Sequence, residues 1–353
     1  METKRRVTRF RACRQWASLL AVGVSVFSSA VFAQPYTSLY VFGDSLSDPG
    51  NNAVVFNSTA SPPFNVTLQS EITSNAFVPT YPYDTSLQYS NSDVWVYGLA
   101  TRLGLPSLSV RPVLSGGTNY AFGGARTGPL DTGGTQFPES LLTQVDRFVT
   151  DLGPASAPAD ALYVLEGGGN NARDAIVEIA GGADPSTTIA AYAAQFASDM
   201  GGMIDSLQAK GAQHIVAWNV TNIGDVPSVS INGPAASAVG TAVAQAMNEA
   251  LVQRLASEPE VILYDAYAFF QTVRDNPSAY SLVNVTDAFG ADFPTGGDPS
   301  TYLFWDGVHP TSQGHALIAD SMYSAVVPEP AVSVAAAGLA ITSLTVFLRR
   351  RRR

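Results

Sequence analysis

Short runs of β-branched and aromatic residues alternate with longer Ala-rich segments between residues 36 and 326. This alternation favours a parallel sheet covered by helices, because each return to a parallel strand needs a crossover segment. The short runs are apolar nearly throughout, which is typical of strands buried on both faces. They predict strands at residues 38–42, 161–166, 214–220 and 261–266, with a further short strand near 118–122.

The Ala-rich segments predict the helices that cover the sheet, and strands and helices together indicate an α/β fold. Helical spacing predicts helices at residues 93–103, 139–152, 187–209, 235–256 and 312–325. Residues 52–91 are rich in Ser, Thr, Pro and Asn without a clear period, so we expect a long loop over the site. No internal repeat or composition break divides residues 34–327, which predicts one domain there.

The amino-terminal segment has the composition of an export signal. Six basic residues within residues 1–14 precede an apolar run at 16–33 that ends in small residues. This order predicts a signal peptide over residues 1–33, cut by signal peptidase so that Gln34 begins the mature chain. The alternative is a retained membrane anchor, although the apolar run is short for a span.

The carboxyl-terminal segment, residues 328–353, combines three parts. The sequence VVPEP ends at Pro330, an apolar run covers 331–348, and five arginines follow at 349–353. Eighteen apolar residues can just cross a bilayer, and the arginines would hold their end in the cytoplasm. The order resembles a PEP-CTERM sorting tail, which implies export across the inner membrane to the surface or exterior and processing by a membrane enzyme. A plain tail anchor is the alternative.

Charge and cysteine content narrow the chemistry of residues 34–327. Eleven of the 19 basic residues lie in the two ends, which leaves eight basic against 27 acidic residues and a net charge of −19. Such a segment should be repelled by nucleic acid and anionic lipid, so we expect a neutral ligand. The single cysteine, Cys13, lies in the predicted signal, which excludes a disulfide, a thiol nucleophile and a cysteine metal site from the mature chain.

Ser45 lies where the first predicted strand ends, in GDSLSDPGN at residues 43–51. Ligand sites of open parallel sheets lie at the carboxyl ends of strands, so this hydroxyl could point into a crevice. The alternative is that Asp44, Ser45, Ser47 and Asp48 only form turns and helix caps.

A serine nucleophile needs a base, and His309 is the best placed of three histidines. Pro310 disfavours helical geometry at His309, and Asp306 lies three residues earlier, close enough to orient the imidazole. The alternative is that Asp306 and His309 cap the following helix. His214 begins a strand and His315 lies in a helix, so both indicate packing or surface roles.

Two glycine-rich segments could supply donors for an oxyanion. NYAFGGART at 119–127 carries a Gly pair whose backbone N–H groups can approach a substrate. LEGGGNN at 165–171 follows a predicted strand and offers an asparagine amide. Ordinary strand-to-helix turns are the alternative for each segment.

Together, these four segments resemble the blocks of a GDSL (SGNH) lipase or esterase, in the family's order and over nearly all of residues 34–327. The resemblance implies a three-layer α/β/α sandwich with a central parallel sheet and flavodoxin-like topology. It also implies catalysis by Ser45, Asp306 and His309, with an oxyanion hole from Ser45 N–H, Gly124 N–H and the Asn170 side chain. No metal or cofactor is required. Asn171 stands where the family usually has aspartate.

The expected function is therefore a secreted serine esterase or lipase acting on a small-molecule or glycan ester. A carbohydrate O-acetyl esterase or an acyltransferase working on extracellular polysaccharide is an alternative. A non-catalytic surface or matrix protein that has kept the fold is the alternative of another class.

Overall fold

The computed structural model of the protein describes residues 36–59, 74–83, 86–129, 137–292 and 297–327. The predicted signal peptide at 1–33 and the predicted tail at 328–353, with its apolar segment 331–348, lie outside these ranges. Within them, no helix is both long and apolar enough to cross a membrane.

The central sheet has four parallel strands in the spatial order β1, β2, β3, β4. Most of their side chains are buried, as expected for a sheet covered on both faces; Tyr40, Ile262 and Leu263 are partly buried and His214 is exposed. The predicted strands are confirmed with shorter bounds: β1 Leu39–Phe42, β2 Leu162–Leu165, β3 His214–Trp218 and β4 Ile262–Tyr264.

The segment predicted as a strand at 118–122 lies beside β1 but forms only isolated parallel bridges, from Asn119 to Val41 and from Asn119 to Pro112. Tyr120 N donates to Val41 O at 2.7 Å and Phe122 N to Gly43 O at 3.1 Å. The prediction of a regular strand is therefore wrong, because the pairing amounts to isolated bridges at Asn119 before the chain turns at Gly124. Counted as a strand, it gives the order 2-1-3-4-5 of a flavodoxin-like sheet.

Helices cover both faces of the sheet, which makes a three-layer α/β/α sandwich. On one face α5 packs against α7 and α3, and on the other α2 packs against α10. The helices are α1 Asn51–Thr59, α2 Trp95–Arg102, α3 Leu141–Leu152, α4 Gly169–Ala180, α5 Pro185–Ala209, α6 Pro227–Ser230, α7 Pro234–Leu255, α8 Ala266–Asp275, α9 Phe289–Asp292 and α10 Ser312–Val326.

Helix α1 corrects the prediction of a loop over residues 52–91. Its Asn-rich and β-branched sequence has low helix propensity. Asp48 compensates, because its carboxylate accepts the N–H groups of Gly50, Asn51 and Asn52 at 2.6–3.3 Å and so satisfies donors that a helix start leaves free. Much of the rest of the predicted loop lies outside the described residues.

A second, two-stranded parallel sheet stands near the end of the described chain. It pairs β5 Asn284–Ala288 with β6 Tyr302–Phe304. Strand β6 leads directly into residues 305–309, and α10 begins at Ser312. The predicted DxxH segment is therefore held between a strand and a helix.

Candidate active site

Ser45 lies just beyond the carboxyl end of β1, with 8% of its surface exposed. The preceding Asp44 shapes the turn, because its Oδ1 accepts the N–H of Leu46 at 3.0 Å. Turn formation and an inward-facing serine are therefore compatible here: the aspartate forms the turn and the serine faces the cavity described below.

Asp306 and His309 lie in a tight loop that is closed at its base by a hydrogen bond from Trp305 N to His309 O at 2.8 Å. Asp306 Oδ1 accepts the backbone N–H groups of Val308 and His309 at 2.8 and 2.7 Å. The helix-capping alternative for this pair is wrong, since Thr311 Oγ1 accepts Gly314 N at the start of α10.

The side chains of Ser45, His309 and Asp306 form a continuous hydrogen-bonded line. His309 Nδ1 lies 2.6 Å from Asp306 Oδ2, and His309 Nε2 lies 2.7 Å from Ser45 Oγ. A neutral imidazole protonated on Nδ1 donates to the carboxylate and accepts the serine hydroxyl proton through Nε2. All three side chains are buried, with Asp306 fully inaccessible.

Tyr83 is a further member of this cluster that sequence reasoning missed. Its hydroxyl donates to Asp306 Oδ2 across 223 residues of chain, and its ring packs edge-on against Trp305. Burial, together with the negative charge of Asp306, raises the pKa of Tyr83, so the hydroxyl remains a donor. Asp306 Oδ2 thus has two donors, Tyr83 and His309.

The three expected oxyanion donors line one cavity with Ser45 and His309. Among the described contacts, neither Ser45 N–H nor Gly124 N–H donates to a protein acceptor. Gly124 has a φ of 84°, a conformation that side-chain-bearing residues rarely adopt. Asn170 Nδ2 donates to Ala125 O at 2.9 Å and, less closely, to Asp44 Oδ2 at 3.3 Å.

With this geometry established, comparison with known proteins identifies the family. Residues 39–322 match the GDSL-like Lipase/Acylhydrolase family. The chain belongs to this family.

The individual relatives that match this chain have low sequence identity to it. Esterase EstA of Pseudomonas aeruginosa is 28% identical over 321 residues, covering 82% of this chain and 47% of that protein. An uncharacterized protein in the trpE-trpG intergenic region of Pseudomonas putida is 26% identical over 87% of this chain and 51% of its own length. GDSL esterase/lipase 6 of Arabidopsis thaliana is 23% identical over 81% of this chain and 86% of its own length. The chain spans about half the length of the two Pseudomonas relatives.

This GDSL family member braces the Gly124 loop against α4 with an ion pair. Arg126 makes two hydrogen bonds of 2.7 Å to Asp174 of α4, and its Nη1 donates to Gly124 O at 2.9 Å. Asn171, which departs from the family pattern, adds an uncharged hydrogen bond between the same loop and helix: its Oδ1 accepts Thr127 N at 3.1 Å. The loop carrying Gly124 and the helix carrying Asn170 are therefore fixed relative to each other.

Two buried carboxyl groups lie behind Ser45. Burial raises the pKa of Asp44 to about 6, and burial together with the charge of Asp44 raises the pKa of Glu166 well above its usual range. Glu166 Oε2 accepts the hydroxyl of Ser47 at 2.8 Å, and Trp95 Nε1 donates to Ser47 Oγ at 3.1 Å. This network joins the serine turn to β2 and α2.

The cavity in front of Ser45 has a volume of about 460 Å³. Its wall includes the aromatic side chains of Phe56, Tyr81 and Phe137. Polar side chains, among them Arg126, Arg173 and Asn170, line the rest of the cavity, and such a mixture of apolar walls and converging polar groups occurs in small-molecule sites. The other two histidines do not reach Ser45: His214 is exposed and packs against Tyr36, and the buried His315 accepts Trp95 N.

Proposed function

We propose that the protein hydrolyses carboxylic esters by two-step acyl transfer. Ser45 Oγ attacks the ester carbonyl carbon, and His309 Nε2 takes the hydroxyl proton and returns it to the leaving alcohol. Water, deprotonated by His309, then attacks the acyl-serine, the proton returns to Ser45, and the carboxylic acid leaves. Asp306 holds the imidazole tautomer and stabilises the imidazolium.

The observation that carries this proposal is the unbroken line of short hydrogen bonds from Ser45 through His309 to Asp306. A serine at a strand end alone would be compatible with a turn, and the DxxH loop alone with a structural role. Their meeting across 264 residues of chain supports the assignment of His309 as the base for Ser45. Membership of the lipase and acylhydrolase family supports the same chemistry.

In this mechanism the tetrahedral oxyanion accepts hydrogen bonds from Ser45 N–H, Gly124 N–H and Asn170 Nδ2. The two backbone groups have no competing protein acceptor among the described residues. The 3.3 Å bond from Asn170 to Asp44 is the weaker of the two amide contacts, and it is the one that the oxyanion would replace. Removing one such donor typically costs about 3 kcal/mol of transition-state stabilisation.

Export is a separate proposal that rests on the composition of residues 1–33 and 328–353. We propose that the chain crosses the inner membrane, loses the amino-terminal segment and is held or processed through the carboxyl-terminal one. Fractionation of cells producing the full chain, with mass analysis of the mature ends, tests it. An intact chain recovered only from the cytoplasm would contradict it.

The proposed activity is tested by comparing wild type with Ser45→Ala and His309→Gln on p-nitrophenyl butyrate. Both variants should lose at least about a thousandfold in kcat. His214→Gln is the matched control, because His214 is exposed and lies apart from the site. A fluorophosphonate should label Ser45 only in wild type and in the control. Equal ester hydrolysis by wild type and Ser45→Ala would rule out the assignment.

A further inference from the structure

Arg173 is a half-buried cation beside the proposed nucleophile that the mechanism does not use. It lies on α4, one turn after Asn170, and its Nη1 is 3.5 Å from Asn170 Oδ1. Its side chain lines the cavity that contains Ser45 and His309. The guanidinium is therefore separated from the expected oxyanion position by about one amide group.

Arg173 is also distinctive among the eight basic residues of residues 34–327. Five others form ion pairs with carboxylates, and two donate to backbone carbonyl oxygens. Among the described residues, Arg173 has neither, and the 3.5 Å contact to Asn170 is its one hydrogen bond. The ion-paired residues are Arg102, Arg126, Arg147, Arg254 and Arg274, and the two that donate to carbonyls are Arg111 and Lys210.

The two carboxylates whose charges favour the Arg173 cation most, Asp306 and Asp174, are already engaged by other donors. Asp174 is bound on both oxygens by Arg126, and Asp306 accepts from His309 and Tyr83. A guanidinium has five N–H donors in a planar fork, and leaving most of them without a partner in a partly desolvated site is costly. Burial accordingly lowers the pKa of Arg173, against the favourable charges of Asp306 and Asp174.

A second cavity of about 600 Å³ meets the first at Arg173. Both are lined by Val78 and Arg173, and the walls of the second include Ile176, Val177, Ala180 and Val229. The unused donors of Arg173 thus stand at the boundary between the proposed catalytic cavity and a mainly apolar groove. This position suits a ligand whose charged group contacts Arg173 and whose hydrocarbon part lies in the apolar groove.

We propose that Arg173 binds an anionic oxygen group of the ester substrate, a carboxylate or a phosphate, close to the scissile bond. This inference rests on the proposed function, because it concerns the substrate of the same site. It revises the expectation of a neutral ligand drawn from the net charge of −19. That charge is spread over the domain and screened over about 8 Å in physiological salt, whereas Arg173 acts at contact distance.

The test measures charge preference as a ratio. Para- and meta-acetoxybenzoate carry the anion on the alcohol side, and the matching acetoxybenzamides are neutral analogues of nearly the same shape. Mono-p-nitrophenyl adipate and its carboxamide place the same difference on the acyl side. For at least one pair, wild type should favour the anion, and Arg173→Gln should reduce the anion-to-neutral ratio of kcat/KM by about tenfold to a hundredfold. Para-acetoxyphenyl phosphate in place of the benzoate distinguishes phosphate from carboxylate recognition.

Arg102→Gln is the matched control, because it removes the same charge at a surface ion pair with Asp320. Its ratio should equal that of wild type. If Arg173→Gln weakens hydrolysis of both members of every pair equally, Arg173 only balances the charges of the site and the anion proposal is wrong. If wild type cleaves neither these esters nor p-nitrophenyl butyrate, the proposed function fails as well, so the two failures are distinguishable.

A measurement on the wild-type protein keeps the inference testable if Arg173→Gln does not fold. Benzoate and benzamide are compared as competitive inhibitors of p-nitrophenyl butyrate hydrolysis. Benzoate should bind at least about tenfold more tightly, and high salt should reduce the difference only in part, because a partly buried ion pair is screened much less than exposed charges. Equal inhibition by the two compounds would overturn the proposal.

Discussion

Replacing Asp306 by asparagine tests how far activity depends on the carboxylate behind His309. Asp306 is fully buried and accepts four hydrogen bonds. Oδ1 accepts two backbone N–H groups of its own loop, and Oδ2 accepts His309 Nδ1 and Tyr83 OH. The asparagine carbonyl can keep the two backbone bonds, so the loop should persist, but its NH₂ group then faces two donors.

The expected loss of activity in Asp306→Asn follows from the two hydrogen bonds that Oδ2 accepts. Hydrogen bonds to a charged group contribute about 1.5–3 kcal/mol each, so losing both weakens the transition state by about 3–6 kcal/mol. This corresponds to a fall in kcat of about a hundredfold to ten-thousandfold. The imidazole would also be driven to carry its proton on Nε2, where it cannot accept the proton of Ser45.

Tyr83→Phe separates the two contributions, because it removes one donor to Oδ2 and leaves the bond from His309 in place. By the same magnitude for one bond, we expect kcat to fall about tenfold to a hundredfold. Both variants are assayed on p-nitrophenyl butyrate, with urea unfolding to confirm that each is folded. A folded Asp306→Asn protein within tenfold of the wild-type kcat would refute the assignment of Asp306 as the orienting carboxylate.

Three further predictions concern the surroundings of the site. Arg126→Gln breaks the brace between Gly124 and Asp174, and kcat should fall about tenfold while KM changes little; an unchanged kcat would contradict that role. Thr311→Ala removes the cap of α10 and should lower the unfolding free energy by about 1 kcal/mol in urea titration, whereas no change would show that the cap adds nothing. Burial raises the pKa of Asp44 and of Asp48 to about 6, above about 3.9 in the unfolded chain, so the folded state binds more protons between these values. The unfolding free energy should therefore fall as the pH rises from about 4 to 6, with a smaller fall for Asp44→Asn; a rise would mean that these carboxyl groups do not control stability there.

The sequence predicted the four strands of the central sheet because buried parallel strands are continuous apolar runs, and helical spacing predicted α2, α3, α5, α7 and α10. It did not predict α4, α8 or the small sheet of β5 and β6. It also failed at α1, whose residues are poor helix formers and whose start is satisfied by the side chain of Asp48. It also predicted a regular strand at 118–122, where the turn at Gly124 leaves only isolated bridges at Asn119. Local patterns therefore failed where a side chain or an edge position decided the backbone.

The candidate site was predicted as four separate blocks, since each has a local signature of glycines or of DxxH spacing. Its supporting contacts have no such signature. Tyr83 meets Asp306 across 223 residues, and Arg126 meets Asp174 across 48. A tyrosine or arginine far along the chain looks like any other until the fold brings it to its partner.

The separation of 264 residues between Ser45 and His309 has a consequence for how the protein matures. During synthesis the segment of the proposed nucleophile emerges first, and the proposed base arrives only after β6 and α10 have been made and have docked. Until then Ser45 would lack the base that the proposed mechanism requires. The time at which a fluorophosphonate begins to label Ser45 should therefore report when the last step of folding is complete. The growing chain should also not react with esters in its surroundings before that step.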